Sequence, residues 1–341
     1  MKTIMVTGGC GFIGSCFIRL LLSDTNKYRV INVDRLTYAG NLANVEPYSL
    51  DDRLVFERAD VADAKKIAAF FKKYTIDVVV HFAAETHVDR SIKDASPFIR
   101  TNVVGTQVLL DACRAHGVER FVQVSTDEVY GALDEGEPAF TEESPVKPTN
   151  PYAASKAASD LLVNAYHHTY GVPCIITRCS NDYGPYQFPE KFIPVVILNA
   201  MDTKQIPVYG TGQNIRDWIF VEDHCRGIRI AMENGRPGEV YNFGGNSLKK
   251  NIDVVKQILG ILGKPETLIT LVEDRPGHDF KYAMNFQKAT KNLGWMPSRS
   301  FDDGLLTTVA WYREHAGWIE AIKSGAYLNS YRDYMNRRKQ R

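Results

Sequence analysis

Glycines set between a short strand and a helix constrain this chain more than any other feature. Thr3-Ile4-Met5-Val6 reads as an apolar strand, and Gly8-Gly9-Cys10-Gly11-Phe12-Ile13-Gly14 follows at once. Beyond it, Ile13, Phe17, Leu20 and Leu21 recur at helical spacing. Gly9, Gly11 and Gly14 fit a G-x-G-x-x-G pattern, and Gly8, Gly11 and Gly14 fit its three-spaced variant. Such glycines allow a tight turn, close backbone approach to a pyrophosphate and close packing of helix on sheet. The pattern is weak alone, and its place between strand and helix gives it meaning. Gly8, Gly11, Phe12, Ile13 and Gly14 are therefore candidate cofactor contacts.

The next strand, at 29–33, ends in Asp34, about 20 residues past Gly14. An acidic group there bonds ribose hydroxyls and repels a 2′-phosphate, which favours NAD over NADP. Arg35 could accommodate that phosphate instead; the aspartate carries more weight. Further apolar strands are expected at 54–56, 78–82, 121–124 and 172–178. Between them lie a helix capped by Asp63 and a long helix over 98–116. This alternation predicts an α/β fold, a doubly wound parallel (Rossmann) sheet over residues 1–180. Segments near 215–248 are expected to return to it, while 181–214 and 249–330 form a smaller substrate-binding lobe. In such sheets ligands lie at the carboxyl ends of the strands. The glycine loop, Asp34, residues 83–86 and residues 125–128 all fall there.

The stretch 124–156 holds the candidate chemistry. Ser125-Thr126-Asp127-Glu128 follows the strand at 121–124, and Asn150-Pro151 opens a helix, as N-cap and first helical residue. Neighbouring strand residues point to opposite faces, so Asp127 and Glu128 can share a pocket only on a turn. Tyr152 and Lys156 are i and i+4 on one helix face. A free tyrosine, with a pKa of about 10, is a poor base near neutrality. A nearby ammonium, the helix N-terminus and a cationic nicotinamide would each favour its phenolate. Tyr-x-x-x-Lys by itself is a common surface pattern; the upstream cofactor signature lifts it.

Residues 181–191, rich in turn formers and aromatics, read as a binding loop. Arg216 and Arg275 suit a diphosphate through their planar forks. With 44% hydrophobic residues and a net charge of +1, nothing suggests a nucleic-acid or membrane partner. The basic tail at 331–341 is expected to be solvated. Six cysteines without CxxC or finger spacing suggest reduced thiols, no metal and a reducing compartment. The chain opens directly in a strand and has no apolar run of membrane-spanning length, so no leader is expected and the cytoplasm is the expected location.

Gly8 to Gly14, Ser125 to Gly131, Tyr152-x-x-x-Lys156, Arg216-Asp217-Trp218 and Arg275-Pro276-Gly277-His278-Asp279 together resemble the extended short-chain dehydrogenase/reductases. Leu36-Thr37-Tyr38-Ala39-Gly40-Asn41 and His87-Val88-Asp89-Arg90-Ser91 extend the likeness, which runs to about residue 327. Thr126-Asp127-Glu128 is most similar to the nucleotide-sugar 4,6-dehydratases of that family; the epimerases lack the acid pair. The resemblance implies a hydro-lyase that turns dTDP-glucose into its 4-keto-6-deoxy product for deoxysugar (for example rhamnose) biosynthesis. It implies NAD held by the glycine loop, Asp34, Arg35, Leu36, Thr37, Asp60, Val61, Phe82, Ala83, Ala84, Thr101, Tyr152 and Lys156. Thr126 would bond the 4-hydroxyl, Asp127 and Glu128 would be acid and base, and Tyr152 with Lys156 the redox pair. Thr86, Asn181, Lys191, Phe192, Pro207, Val208, Tyr209, Arg216, Asn251, Arg275 and His278 would bind the nucleotide sugar. A homodimer through the helices near 98–116 and 152–169 is also implied. Asp182 departs from the family pattern, which commonly has asparagine. The alternatives are a UDP-sugar 4-epimerase or decarboxylase, a UDP-glucose 4,6-dehydratase, and a non-catalytic NAD sensor.

Overall fold

A computed structural model describes residues 1–24, 27–274 and 278–329. Arg275 and the basic tail at 331–341 lie outside the described residues. Twelve strands are present among them: β1 (Lys2–Thr7), β2 (Tyr28–Asp34), β3 (Leu54–Arg58), β4 (Val78–His81), β5 (Arg120–Thr126), β6 (Cys174–Cys179), β7 (Asn181–Tyr183), β8 (Ile206–Tyr209), β9 (Ile215–Phe220), β10 (Val240–Phe243), β11 (Leu248–Lys250) and β12 (Ile269–Val272). Seven form one sheet in the order β10-β6-β5-β4-β1-β2-β3, and every pairing in it is parallel. The doubly wound α/β expectation is met.

The sheet is covered on both faces because its strands are apolar on both. Ile4, Val6, Val30, Val80, Val122 and Ile175 pack with Phe17, Ile18 and Leu21 of the Phe12–Ser23 helix and with Ile228 and Met232 of the Val221–Asn234 helix. Their immediate neighbours Met5, Ile31, Val79, Phe121 and Ile176 face the other way, onto Ile67, Phe71, Leu109, Leu110 and Val163. A two-residue side-chain period thus feeds two cores from one set of strands. Each buried aliphatic side chain contributes about 1.5–3 kcal/mol of burial free energy.

Strands β11, β9 and β7 make a second sheet, with β11 antiparallel and β7 parallel to β9; β12 and β8 pair separately. Ile206, Val208, Trp218 and Phe220 from these strands pack with Ile197, Val254, Ile258, Leu305 and Trp311. Of the segment 215–248, β10 joins the large sheet, whereas β9 and β11 pair in the small one.

Residues 98–116 do not form one uniform helix. A π-helical turn, Ile99–Val104, precedes the α-helix Gly105–His116. It carries buried Asn102, which accepts from the Glu85 backbone N–H at 2.9 Å and donates to Ser155 Oγ at 2.8 Å. Periodicity cannot reveal one extra residue in a turn. No described helix is long and apolar enough to cross a membrane.

Candidate active site

At the carboxyl ends of the large-sheet strands lies a cavity of about 770 Å³. Its floor is the glycine turn. Gly8 sits at φ +70°, and a Cβ there would lie 2.7 Å from the Ala83 nitrogen. A Cβ on Gly14 would come within 2.3 Å of the Gly8 carbonyl oxygen. The Phe12–Ser23 helix begins at Gly11 with no side-chain cap and no acidic residue in its first turn. Its N-terminal N–H groups and positive dipole end therefore face the cavity uncompensated, as an anion site requires. Gly8, Gly11, Phe12, Ile13 and Gly14 all line it.

Asp34 ends β2 and lines the same space, accepting from the backbone N–H of Cys10 at 2.9 Å and of Leu36 at 2.7 Å. Burial raises its pKa despite those two donors. Arg35 lines the cavity too, with its guanidinium 3.4 Å from Asp60, which also holds Arg100 at 3.2 Å. Thr37, Asp60, Val61, Phe82, Ala83, Ala84, Thr86 and Thr101 complete this half. Leu36 is the exception: it packs against the hydrophobic core and does not line the cavity. Its backbone N–H, spent on Asp34, is its contribution to the site.

In the other half, β5 ends at Thr126 and a 3-10 turn, Asp127–Tyr130, follows. Thr126 Oγ1 caps that turn by accepting from the Glu128 N–H at 3.2 Å and lies 3.2 Å from Asp127 Oδ1. The turn lets both carboxyl groups line one cavity, as the sequence demanded. Asp127 is 2% exposed, and its Oδ2 has no hydrogen-bond partner among the described residues. Burial first, then the charge of Glu128, push its pKa well above the usual carboxylate range; Arg216 pulls weakly the other way. That shift favours the protonated acid. Half-buried Glu128 is reached by Asn150 Nδ2 at 3.4 Å.

Asn150 caps the Pro151–Tyr170 helix by accepting from the Ala153 N–H at 2.9 Å, with Pro151 in its first turn. Tyr152 and Lys156 both line the cavity from this helix. Lys156 Nζ donates to the Val124 carbonyl oxygen at 2.7 Å. Burial, Glu128, Cys179 and Asp127 raise the Tyr152 pKa, and a Thr126 hydrogen bond lowers it. The protein's own charges therefore keep the phenol protonated. Spacing of i and i+4 shares a face, but Lys156 reaches back to the sheet.

Asn181, Lys191, Phe192, Pro207, Val208, Tyr209, Arg216, Asn251 and His278 line the far wall. Lys191 Nζ donates to the Thr86 carbonyl at 3.0 Å. Arg216 is buried, donating to the carbonyls of Asp279 at 2.9 Å and Phe280 at 3.1 Å while its guanidinium sits 4.4 Å from the Tyr282 ring centre. Cys179, Gln187, Glu190 and Trp218 line the cavity with them; sequence reasoning placed Gln187 and Glu190 only within the 181–191 binding loop and gave Cys179 and Trp218 no site role. Strand period would have found Trp218, two residues from Arg216 on β9 and so on its face. Glu190 takes a hydrogen bond from Tyr38 Oη at 2.9 Å and faces Arg90 at 3.5 Å, a tie between distant loops that no local pattern signals.

A family model described as GDP-mannose 4,6 dehydratase matches residues 5–308. The chain is 48% identical to a dTDP-glucose 4,6-dehydratase of Neisseria meningitidis serogroup B, over 96% of this chain and 98% of that relative. The crystal structure of a dTDP-glucose 4,6-dehydratase from Streptomyces venezuelae, with NAD bound, superposes with a TM-score of 0.91 at 49% identity, over 94% of this chain and 100% of that one. That of the Bacillus anthracis enzyme in complex with NAD gives 0.89 at 43%, over 94% and 100%. With such identity sustained over nearly the whole length of both chains, this chain belongs to the dTDP-glucose 4,6-dehydratases of the extended short-chain dehydrogenase/reductase family.

Proposed function

We propose that the chain dehydrates dTDP-glucose to dTDP-4-keto-6-deoxyglucose with NAD as a resident cofactor. One observation carries this reading: a buried Asp127, whose pKa is raised by its burial and by Glu128, shares a turn with Glu128 and a cavity with Tyr152. The cofactor fits the residues present. The closeness of Gly8 to Ala83 leaves backbone alone at the cavity floor, the helix end is uncapped, and Asp34 suits ribose hydroxyls.

Bound NAD would supply a positive charge and a reversible hydride acceptor for oxidation at C4 and reduction at C6 of the glucose. That positive charge would favour the Tyr152 phenolate against its burial, and the phenolate takes the proton of the 4-hydroxyl, which Thr126 holds. Lys156, fixed by the Val124 carbonyl, orients the helix face that carries Tyr152 and binds the nicotinamide ribose. Once C4 is a ketone the C5 proton is acidic, and Glu128 removes it. Asp127 gives its proton to the departing C6 hydroxyl, which leaves as water. No net redox change results, so the cofactor need not exchange between turnovers.

Residues 181–214 and 249–330, together with β9, serve as the substrate lobe, with Lys191, Arg216, Asn251 and His278 toward the nucleotide diphosphate. The product suits deoxysugar synthesis. A cytoplasmic setting is supported by six buried, unpaired cysteines. A homodimer is supported by apolar side chains left exposed on the helices near 98–116 and 152–169. To test the activity, purified protein is incubated separately with dTDP-glucose and UDP-glucose, and the product is weighed by mass spectrometry. A 4-keto-6-deoxy product lighter by one water, formed faster from dTDP-glucose, is expected. An isomer of unchanged mass would make the chain an epimerase.

A further inference from the structure

On the cavity wall, three side chains with nitrogen, sulfur and oxygen donors converge from three elements. Cys179 closes β6, Asp182 lies in β7, and His224 projects from the Val221–Asn234 helix. The Cys179 Sγ donates to Asp182 Oδ2 at 3.2 Å, and His224 Nδ1 lies 3.0 Å from Asp182 Oδ1. One ligand atom from each falls within 4.8 Å of the other two. From this geometry we propose that Cys179, Asp182 and His224 bind one Zn²⁺ ion, with its fourth coordination position open to the cavity.

A tetrahedral zinc with bonds of about 2.0–2.3 Å holds its ligand atoms roughly 3.3–3.6 Å apart. Asp182 Oδ2 lies 3.2 Å from Cys179 Sγ and 3.0 Å from His224 Nδ1, separations that need to open by only a few tenths of an ångström, and the sulfur and nitrogen lie within 4.8 Å of each other. Charge balances as well. A thiolate and a carboxylate neutralise a dication, and the imidazole binds uncharged. That matters here, since His224 is fully buried and Cys179 is 6% exposed, and an unbalanced ion at such depth is costly. As the ion enters, the Cys179 thiol gives its proton to solvent, so binding releases one proton.

Access and weakness are both written into the surroundings. Cys179 and Asp182 line the cavity, so an ion arrives through it without opening the fold. His224 Nε2, however, has no hydrogen-bond partner among the described residues. A ligating histidine held from behind by such a partner binds roughly 10–100-fold tighter. The site is therefore a reversible one and not a structural centre. Its ion lies beside the catalytic groups, as the influence of Cys179 on Tyr152 indicates, so occupancy obstructs turnover.

Co²⁺ titrated into the NAD-loaded protein reads the site directly. One equivalent should give a thiolate-to-cobalt absorption band in the near ultraviolet, and Zn²⁺ should displace it. Cys179→Ser should abolish the band, while Asp182→Asn and His224→Gln should weaken Co²⁺ binding at least about tenfold. Circular dichroism and bound-NAD content identify the variants that fold, and any one of them decides the matter. The absence of a saturable band in the unaltered protein overturns the proposal, as does a band of undiminished affinity in a folded variant.

Discussion

In the proposed mechanism Asp127 gives up a proton near neutrality, and what equips it is placement more than residue type. Its burial and the adjoining Glu128 raise its pKa, so the acid form persists above the usual carboxylate range and is lost only as pH climbs through the raised value. The contribution of Asp127 to the dehydration rate should accordingly fall as pH climbs through that raised value. Asp127→Asn should still bind NAD and oxidise C4, but slow the elimination by about 10²–10⁴; a rapid-mixing trace would show NADH building up. Unimpaired product formation by the folded variant would remove Asp127 from the mechanism. Tyr152 has a raised pKa as well, so as a base it improves with rising pH. Tyr152→Phe should leave no NADH transient at all. That Thr126, Asp127, Glu128, Tyr152 and Lys156 line one cavity was legible in the sequence because each belongs to a short local pattern. The partner of Lys156 was not, since a side chain's reach to Val124 depends on where sheet and helix meet.

At the scale of elements, local chemistry set the boundaries and tertiary packing set the exceptions. Asn150 and Asp63 cap their helices as their sequence positions require, accepting from Ala153 and Lys66. Asn150→Ala should cost about 1 kcal/mol of stability, read as a lower midpoint in urea, together with some activity through Glu128. The π-helical turn Ile99–Val104 and the short strands β7 to β12 escaped detection. Three to six residues give too few periods to distinguish a strand from a loop. One of these short connections carries a pH dependence. Asp217 on β9 accepts from the N–H groups of Ser247 at 2.7 Å and Gly245 at 3.1 Å, and burial raises its pKa to about 6. A raised value means that the folded state favours the neutral acid. The stability it gives is complete below about pH 4 and is lost as pH rises through about 6. The shift corresponds to on the order of 3 kcal/mol. Asp217→Asn should flatten the melting temperature against pH across that interval, and an unchanged slope would show that Asp217 is not its source.

For the molecule as a whole, alternation of strand and helix announced the large sheet, and the convergence of motifs at strand ends announced the cavity. What sequence could not supply is which apolar residues stay uncovered. Leu161 on the Pro151–Tyr170 helix is 61% exposed, and Ile99 and Val104 on the π-helical turn are 48% and 39% exposed. Those two elements pack side by side, with Ile92 of the neighbouring Val88–Lys93 helix also 47% exposed. Leaving several large apolar side chains in water on adjacent helices forgoes burial that a second copy could recover, at about 25 cal/mol per Å² of area covered. The same helix carries Tyr152 and Lys156 on its buried face, so pairing there would also stiffen the mount of the redox pair. The chain should sediment as a dimer, at twice its 38.4 kDa. Joint replacement Val104→Glu and Leu161→Glu should yield a folded monomer, because a pair of like charges would then meet its symmetric copy across the contact. A folded double variant that still sediments as a dimer would place the contact elsewhere, and an unaltered protein that sediments as a monomer at micromolar concentration would leave these side chains without an occupant.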